Sequence, residues 1–184
     1  ADHGVDVVSG ATALGDAASK MPIDQFMQKY TLFDSFMGFI PGSIGETSVV
    51  ACLIGAVILL ITGIASWRIM LSMTLGAFGM ALIFNSLSDH FPENTLMKID
   101  ALHHLTLGSF AFATVFMATD PVTAAQTNIG KWIYGFLAGI LGILIRVFNP
   151  AYPEGFMLAI LFMNVMAPLI DHYVVEANIN NRLK

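Results

Sequence analysis

Residues 49–67 read VVACLIGAVILLITGIASW and residues 69–87 read IMLSMTLGAFGMALIFNSL, two uncharged runs parted only by Arg68. A helix of that length covers about 28 Å, close to the roughly 30 Å hydrocarbon core of a bilayer. Inside hydrocarbon a backbone must satisfy its own N–H and C=O groups, so such runs read as helices. Their residues show no period-two alternation, which argues against a barrel. Three further runs follow. Ala101–Thr119 is interrupted only by His103 and His104, and Trp132–Ile145 reaches a span by extending through Arg146 to Phe148. Gly155–Ile170 reaches further if Asp171 and His172 lie at the interface. Arg146 is expected to snorkel to the interface, with Asn149-Pro150 marking the helix end behind it. Gly135, Gly139 and Gly142, and on the second run Gly76 and Gly79, predict close helix–helix contacts. The expectation is an all-α, polytopic transmembrane helix bundle of five spans. It divides into a head over 1–48, a membrane domain over 49–176 and a tail over 177–184.

Composition supports lipid as the main solvent. Of 184 residues 56% are hydrophobic and 11% charged, and the mean hydropathy is +0.73. The formal charge of −5 offers no basic surplus for phosphates, which argues against nucleic-acid binding. One cysteine, Cys52, excludes a disulfide framework or a cysteine-ligated cluster within this chain alone. The chain begins at Ala1 with no signal-peptide pattern and reads as an interior fragment or a processed chain.

Five spans put the two ends on opposite sides. One side gathers residues 1–48 and the loops near 88–100 and 149–154, with Lys20, Lys29 and Lys98, and Arg146 nearby. The other carries Arg68, Lys131, Arg182 and Lys184, so short-loop positives favour it as cytoplasmic. An odd-numbered helical unit is compatible with one half of an inverted repeat.

The head holds one motif that nominates chemistry: Asp6-Val7-Val8-Ser9-Gly10-Ala11-Thr12, of the form D-x-x-S-G-A-T on which bacterial flavin transferases place FMN. Thr12 would supply the alcohol oxygen, while Ser9, Gly10 and Ala11 leave the backbone uncovered. Spacing gives no base beside Thr12 to activate it, so a separate enzyme must act. On spacing alone, Ser9 or Thr12 reads as the N-cap of a short helix running through Ser19.

Together with S-G-A-T-A-L-G and five runs, the stretches Thr119-Asp120-Pro121-Val122-Thr123, Arg146-Val147-Phe148-Asn149-Pro150 and Asn164–Asp171 resemble one family over essentially the whole chain. It is the family of the B subunit of the Na⁺-translocating NADH:quinone oxidoreductase, and the match is to the C-terminal half. More loosely the chain resembles the D subunit of the related Rnf complex. The resemblance implies one half of a ten-helix inverted-repeat subunit, with covalent FMN at Thr12. It implies a redox-driven sodium pump of the bacterial inner membrane, passing electrons from NADH-derived carriers toward ubiquinone, with residues 1–48 on the periplasmic side. Non-covalent riboflavin and the quinone site depend on the N-terminal half of the same subunit. Other subunits of the complex and membrane lipid are the remaining partners.

Asp120 and Asp171 border spans, where an ionisable group is a functional candidate. Both are candidates for Na⁺ uptake, with Thr119 and Thr123 as further oxygen donors. The plainer alternatives are an N-cap before Pro121 and a solvated helix end. His90, His103, His104 and His172 offer no well-placed haem pair and read as interfacial histidines. Trp67 and Trp132 read as interface anchors. Phe112 and Phe116, four apart and near Asp120, lie on one helix face as packing or as an apolar constriction. Two rival readings are an Rnf-type subunit with other electron partners and a non-redox channel or transporter in which S-G-A-T only caps a helix.

Overall fold

The computed structural model describes residues 12–19, 21–43, 45–88, 91, 94–149 and 151–183. Among them the α-helices are Ala13–Ala18 (α1), Ile23–Lys29 (α2), Leu32–Met37 (α3), Val49–Ile61 (α4), Trp67–Leu87 (α5), Thr95–Lys98 (α6), Ala101–Thr106 (α7), Phe110–Phe112 (α8), Asn128–Phe148 (α9) and Phe156–Arg182 (α10). A π-helical turn, Ala113–Met117, continues α8. The described residues contain no strand, so the chain is an all-α polytopic bundle.

Three helices, α5, α9 and α10, are long and apolar enough to cross a membrane, and α4 is a shorter apolar helix of 13 residues. The two runs that looked shortest in the sequence belong to two of the longest helices. Apolar run length underestimates them because polar residues continue both. Thr127 opens α9, its hydroxyl accepting from Gly130 N at 3.0 Å. Asp171 and His172 lie within α10, which passes the expected boundary at residue 176 without interruption.

Small residues set the spacing of α5 and α9. A Cβ on Gly139 would lie 2.7 Å from Ala77 N and nearer still to Met73 O. One on Gly135 would lie 2.7 Å from Ile69 O, and one on Gly76 would run into Phe136 O. The two backbones therefore touch directly, the close approach that glycine permits between membrane helices. Gly142 accommodates the Phe156 ring at the start of α10. Farther along, Tyr134 donates to Asn164 Oδ1 at 2.6 Å and ties α9 to α10.

The third apolar run is not one helix. It breaks at Leu107–Ser109, where Gly108 adopts φ +63°, a left-handed conformation that suits glycine. The break is held from a distance. Arg146 Nη1 donates to His104 O at 2.7 Å and Nη2 to Leu107 O at 3.2 Å. Glu154 accepts from Ser109 N at 2.9 Å. Arg146 is fully buried, with its guanidinium over the Phe156 ring, rather than snorkelling. His103 and His104 are also buried rather than interfacial, and His104 Nε2 lies 3.0 Å from Leu96 O. An interrupted backbone at this depth is tolerated because protein groups, not lipid, satisfy it.

The loops fall into two groups. At one end Thr95 Oγ1 donates to Met21 O at 3.1 Å and Asn94 Nδ2 to Val147 O at 3.1 Å. At the other, Ile64, Ser66, Asp120, Gln126 and Lys131 line one small cleft. Trp67 and Trp132 meet edge-to-face there, centroids 5.9 Å apart. This grouping of the described loops follows the alternation that successive apolar runs imply. The core is formed by α5, α9 and the start of α10, with α1, α6 and α7 packed onto it.

Candidate functional site

Thr12 stands just ahead of α1. Its backbone is extended, and its Oγ1 accepts from Gly15 N at 3.2 Å, the N-cap that spacing alone suggested. Asp6, Ser9, Gly10 and Ala11 lie outside the described residues. Ala13, Leu14 and Ala17 are buried in the core, so α1 is docked while Thr12 stays half-buried at its edge. Leu14 packs onto Gly108, where any side chain would strike both Leu14 and Glu154. Thr12 and α1 thus sit on the break in the third run. Thr12 shares a narrow cleft with Pro41, Glu46, Thr47, Gly108 and Glu154.

A second anchor holds α1 and has no signature in the sequence. Asp16 Oδ2 accepts from Lys29 Nζ at 2.7 Å and from Tyr30 Oη at 2.7 Å. The two hydrogen bonds, Lys29 first, hold the Asp16 carboxyl below the usual carboxylate range despite its burial. Burial, then Asp16, pushes the Tyr30 phenol up. The offset of thirteen residues between Asp16 and Lys29 falls outside any helical spacing, and only the turn between α1 and α2 closes it.

Asp120 and Asp171 lie at the opposite end from Thr12. Asp120 Oδ2 accepts from Thr123 Oγ1 at 2.7 Å and Thr123 N at 3.1 Å. These bonds, the hydroxyl first, hold its carboxyl below the usual range. Asp171 reaches across to the start of α9. Its Oδ2 accepts from Gln126 N at 2.6 Å; its Oδ1 accepts from Thr127 Oγ1 at 2.6 Å and Thr127 N at 3.0 Å. The structure brings the two acids to one end but gives each its own hydrogen-bond set. No group of three or more His, Cys, Asp or Glu side chains able to hold a metal occurs among the described residues. Phe112 and Phe116 stack in a tilted pair, centroids 5.1 Å apart. Phe116 lies where a Cβ on Gly55 would fall, so α4 and the π-helical turn are in contact.

The long apolar helices and the broken segment between them define a multi-pass membrane protein of the α-helical class. Its family follows from comparison: the profile of the NQR2, RnfD, RnfE family matches residues 2–180, and the chain belongs to that family. Among its relatives are proteins named as the B subunit of Na(+)-translocating NADH-quinone reductase. The chain is 52% identical over 179 residues to that of Chromohalobacter salexigens, covering 97% of this chain and 43% of the relative. It is 51% identical to that of Ectopseudomonas mendocina and 49% to that of Pseudomonas aeruginosa, each over 97% of this chain and 44% of the relative. The chain thus spans less than half the length of these relatives.

Proposed function

We propose that this chain is the flavin-bearing part of a membrane subunit in a redox-driven sodium pump. FMN is joined by a phosphoester to Thr12 Oγ1, and electrons pass from NADH-derived carriers toward ubiquinone. The observation that carries the reading is the S-G-A-T motif, in a chain of this family, ending at a half-buried hydroxyl on a firmly docked helix.

The residues fit such a group. Thr12 is half-buried on the cleft lining, and its Oγ1 accepts from Gly15 N at 3.2 Å. Glu46 and Glu154 put carboxylates on the cleft wall, so a phosphate on Thr12 is favoured on the side away from them. Bound there, the flavin supplies electron transfer. The chain's own part is positional. Thr12 fixes the attachment point, Leu14 and Gly108 lock α1 against the broken segment, and Asp16 locks it to α2 through Lys29 and Tyr30. Covalent attachment holds a carrier at high effective concentration near its partners.

On this reading residues 1–48 face the periplasm, the domain over 49–176 is embedded in the inner membrane and 177–184 is cytoplasmic. Asp120 and Asp171 then lie on the cytoplasmic side, suited to taking up Na⁺. Riboflavin and quinone sites draw on the remainder of the longer subunit, and the other subunits of the complex are the electron partners.

The cap seen at Thr12 also favours a plainer reading, a helix start without redox chemistry. Denaturing gels under ultraviolet light separate the two. Protein matured alongside a flavin transferase is expected to fluoresce, with the mass increment on the tryptic peptide ending at Lys20. Thr12→Ala removes both signals and Thr12→Ser keeps them. A bare intact mass, or fluorescence surviving in Thr12→Ala, refutes the proposal. Activity with ubiquinone rather than another acceptor distinguishes the sodium-pump subunit from an Rnf-type one.

A further inference from the structure

We propose that α3 is an interfacial helix whose outer face lies in the lipid headgroup–acyl boundary, so that the membrane surface itself is the partner that positions the head. The face is unusual for a segment outside the spans. Leu32, Phe33, Phe36 and Met37 are all exposed, as is Phe39 just beyond, which is 77% exposed. Positions 32, 33, 36 and 37 share one side of a helix, and Ser35 on the opposite side is fully buried. Thr31 caps the helix through Asp34 N at 3.2 Å, and Gly38 ends it at φ +94°. The apolar side is therefore fixed outward. A contiguous exposed patch of large apolar side chains marks an interaction surface.

Three observations identify the occupant as lipid. First, the face is continuous with the apolar exterior of the helices beside it: Leu32 and Phe36 share a groove of about 400 Å³ with Leu53 of α4 and with Met70 and Thr74 of the spanning helix α5. Beyond it Ile54, Val57 and Ile58 of α4 are exposed in turn. Second, the depth agrees. The α4 residues on that groove run from Val49 to Ala56, about 10 Å along a helix axis, and interfacial helices sink their apolar faces about 5–10 Å. Third, the neighbouring helix changes character. The exposed positions of α2 include Asp24, Gln25, Gln28 and Lys29, so a waterline falls between α2 and α3. The consequence reaches the motif: α3 sits at the surface, α2 stands above it, and the Lys29–Asp16 bridge carries that height to α1. The inference rests on the membrane reading and not on the flavin.

The test introduces tryptophan one site at a time into the full-length subunit, reconstituted with its complex in phosphatidylcholine vesicles. The emission of the unsubstituted complex is subtracted. Vesicles carry bromine on the acyl chains, either near the ester end or near the methyl end. Phe33→Trp and Phe39→Trp are expected to be quenched roughly two-fold more by the shallow bromines than by the deep ones, as an interfacial depth requires. Gln25→Trp is expected to be quenched by aqueous iodide and not by lipid. Quenching of Phe33→Trp and Phe39→Trp by iodide alone would place the face in water and overturn the inference. Shielding from both quenchers would place it under protein, either the rest of the longer subunit or a neighbour, and would equally overturn it. The same pattern is expected in a Thr12→Ala background, so failure of the flavin assignment leaves this result untouched.

Discussion

Gly139→Ala tests the claim that α5 and α9 touch backbone to backbone. The added Cβ would meet Ala77 N at 2.7 Å and Met73 O at a still shorter distance. Ordinary carbon contacts begin at about 3.5 Å, so the two helices must part by roughly 0.8 Å or more. A gap of 0.5–1 Å forfeits a quarter to a half of each dispersion contact along the seam. Overpacking of this kind costs about 1–3 kcal/mol, and the upper end applies because backbone atoms have no rotamer to escape into. Alanine recovers up to about 1 kcal/mol of helix propensity, which leaves a net loss of about 2 kcal/mol, roughly 30-fold in the folding equilibrium. Gly79 is the control, since a Cβ there meets nothing within 4 Å. Gly79→Ala is expected to be neutral or stabilising by up to about 1 kcal/mol. Reversible unfolding in mixed detergent micelles, followed by far-ultraviolet circular dichroism, measures both. If the two variants agree within about 0.5 kcal/mol, the backbone contact is not what sets the α5–α9 spacing.

Arg146→Leu leaves His104 O and Leu107 O without their donors and is expected to cost about 3 kcal/mol or more, read as a lower unfolding midpoint; Arg146→Lys recovers only part of it. Asp171→Asn replaces an acceptor facing three donors and is expected to lower stability by about 1–3 kcal/mol. Asp120→Asn disturbs contacts within its own turn, chiefly those from Thr123, so a raised half-saturating Na⁺ concentration in that variant, at unchanged thermal stability, supports an ion role that Asp171→Asn alone cannot separate from folding. The Asp16 bridge has a defined pH window. Its carboxyl is lowered in the folded state, so its contribution is complete above the ordinary value of 3.8 and is lost as pH falls through the lower folded value. Protease accessibility of the 12–19 segment is expected to rise over that acidic window in the native chain and to be pH-independent in Asp16→Asn.

The membrane class was legible because run length and absence of charge are local properties, as the stretches 49–67 and 69–87 show. The grouping of the loops at two ends was legible too, since successive apolar runs alternate ends. Helix continuity was not. Ala101–Thr119 reads as one span because apolarity does not report whether carbonyls are satisfied by the next turn or by Arg146, some forty residues later. The same long reach hid the burial of Arg146, whose partners are backbone atoms with no sequence signature. Thr12 was legible as a motif and as a cap. The Asp16–Lys29–Tyr30 cluster was not, because a turn rather than a period brings it together. Asp171 as an anchor for the start of α9 was missed because the packing of α10 on α9, and no local spacing, brings it there.

The distant fastening of the interrupted segment also constrains how the chain is made. Synthesis runs from the N-terminus, so residues 101–119 leave the ribosome before Arg146 and Glu154 exist to hold them. Until those two residues arrive, the carbonyls of His104 and Leu107 and the amide of Ser109 lack the partners they keep in the finished fold. This segment must therefore wait in a wetter or differently coiled arrangement, and a nascent chain halted before residue 146 is expected to be a better chaperone client than one halted after residue 160.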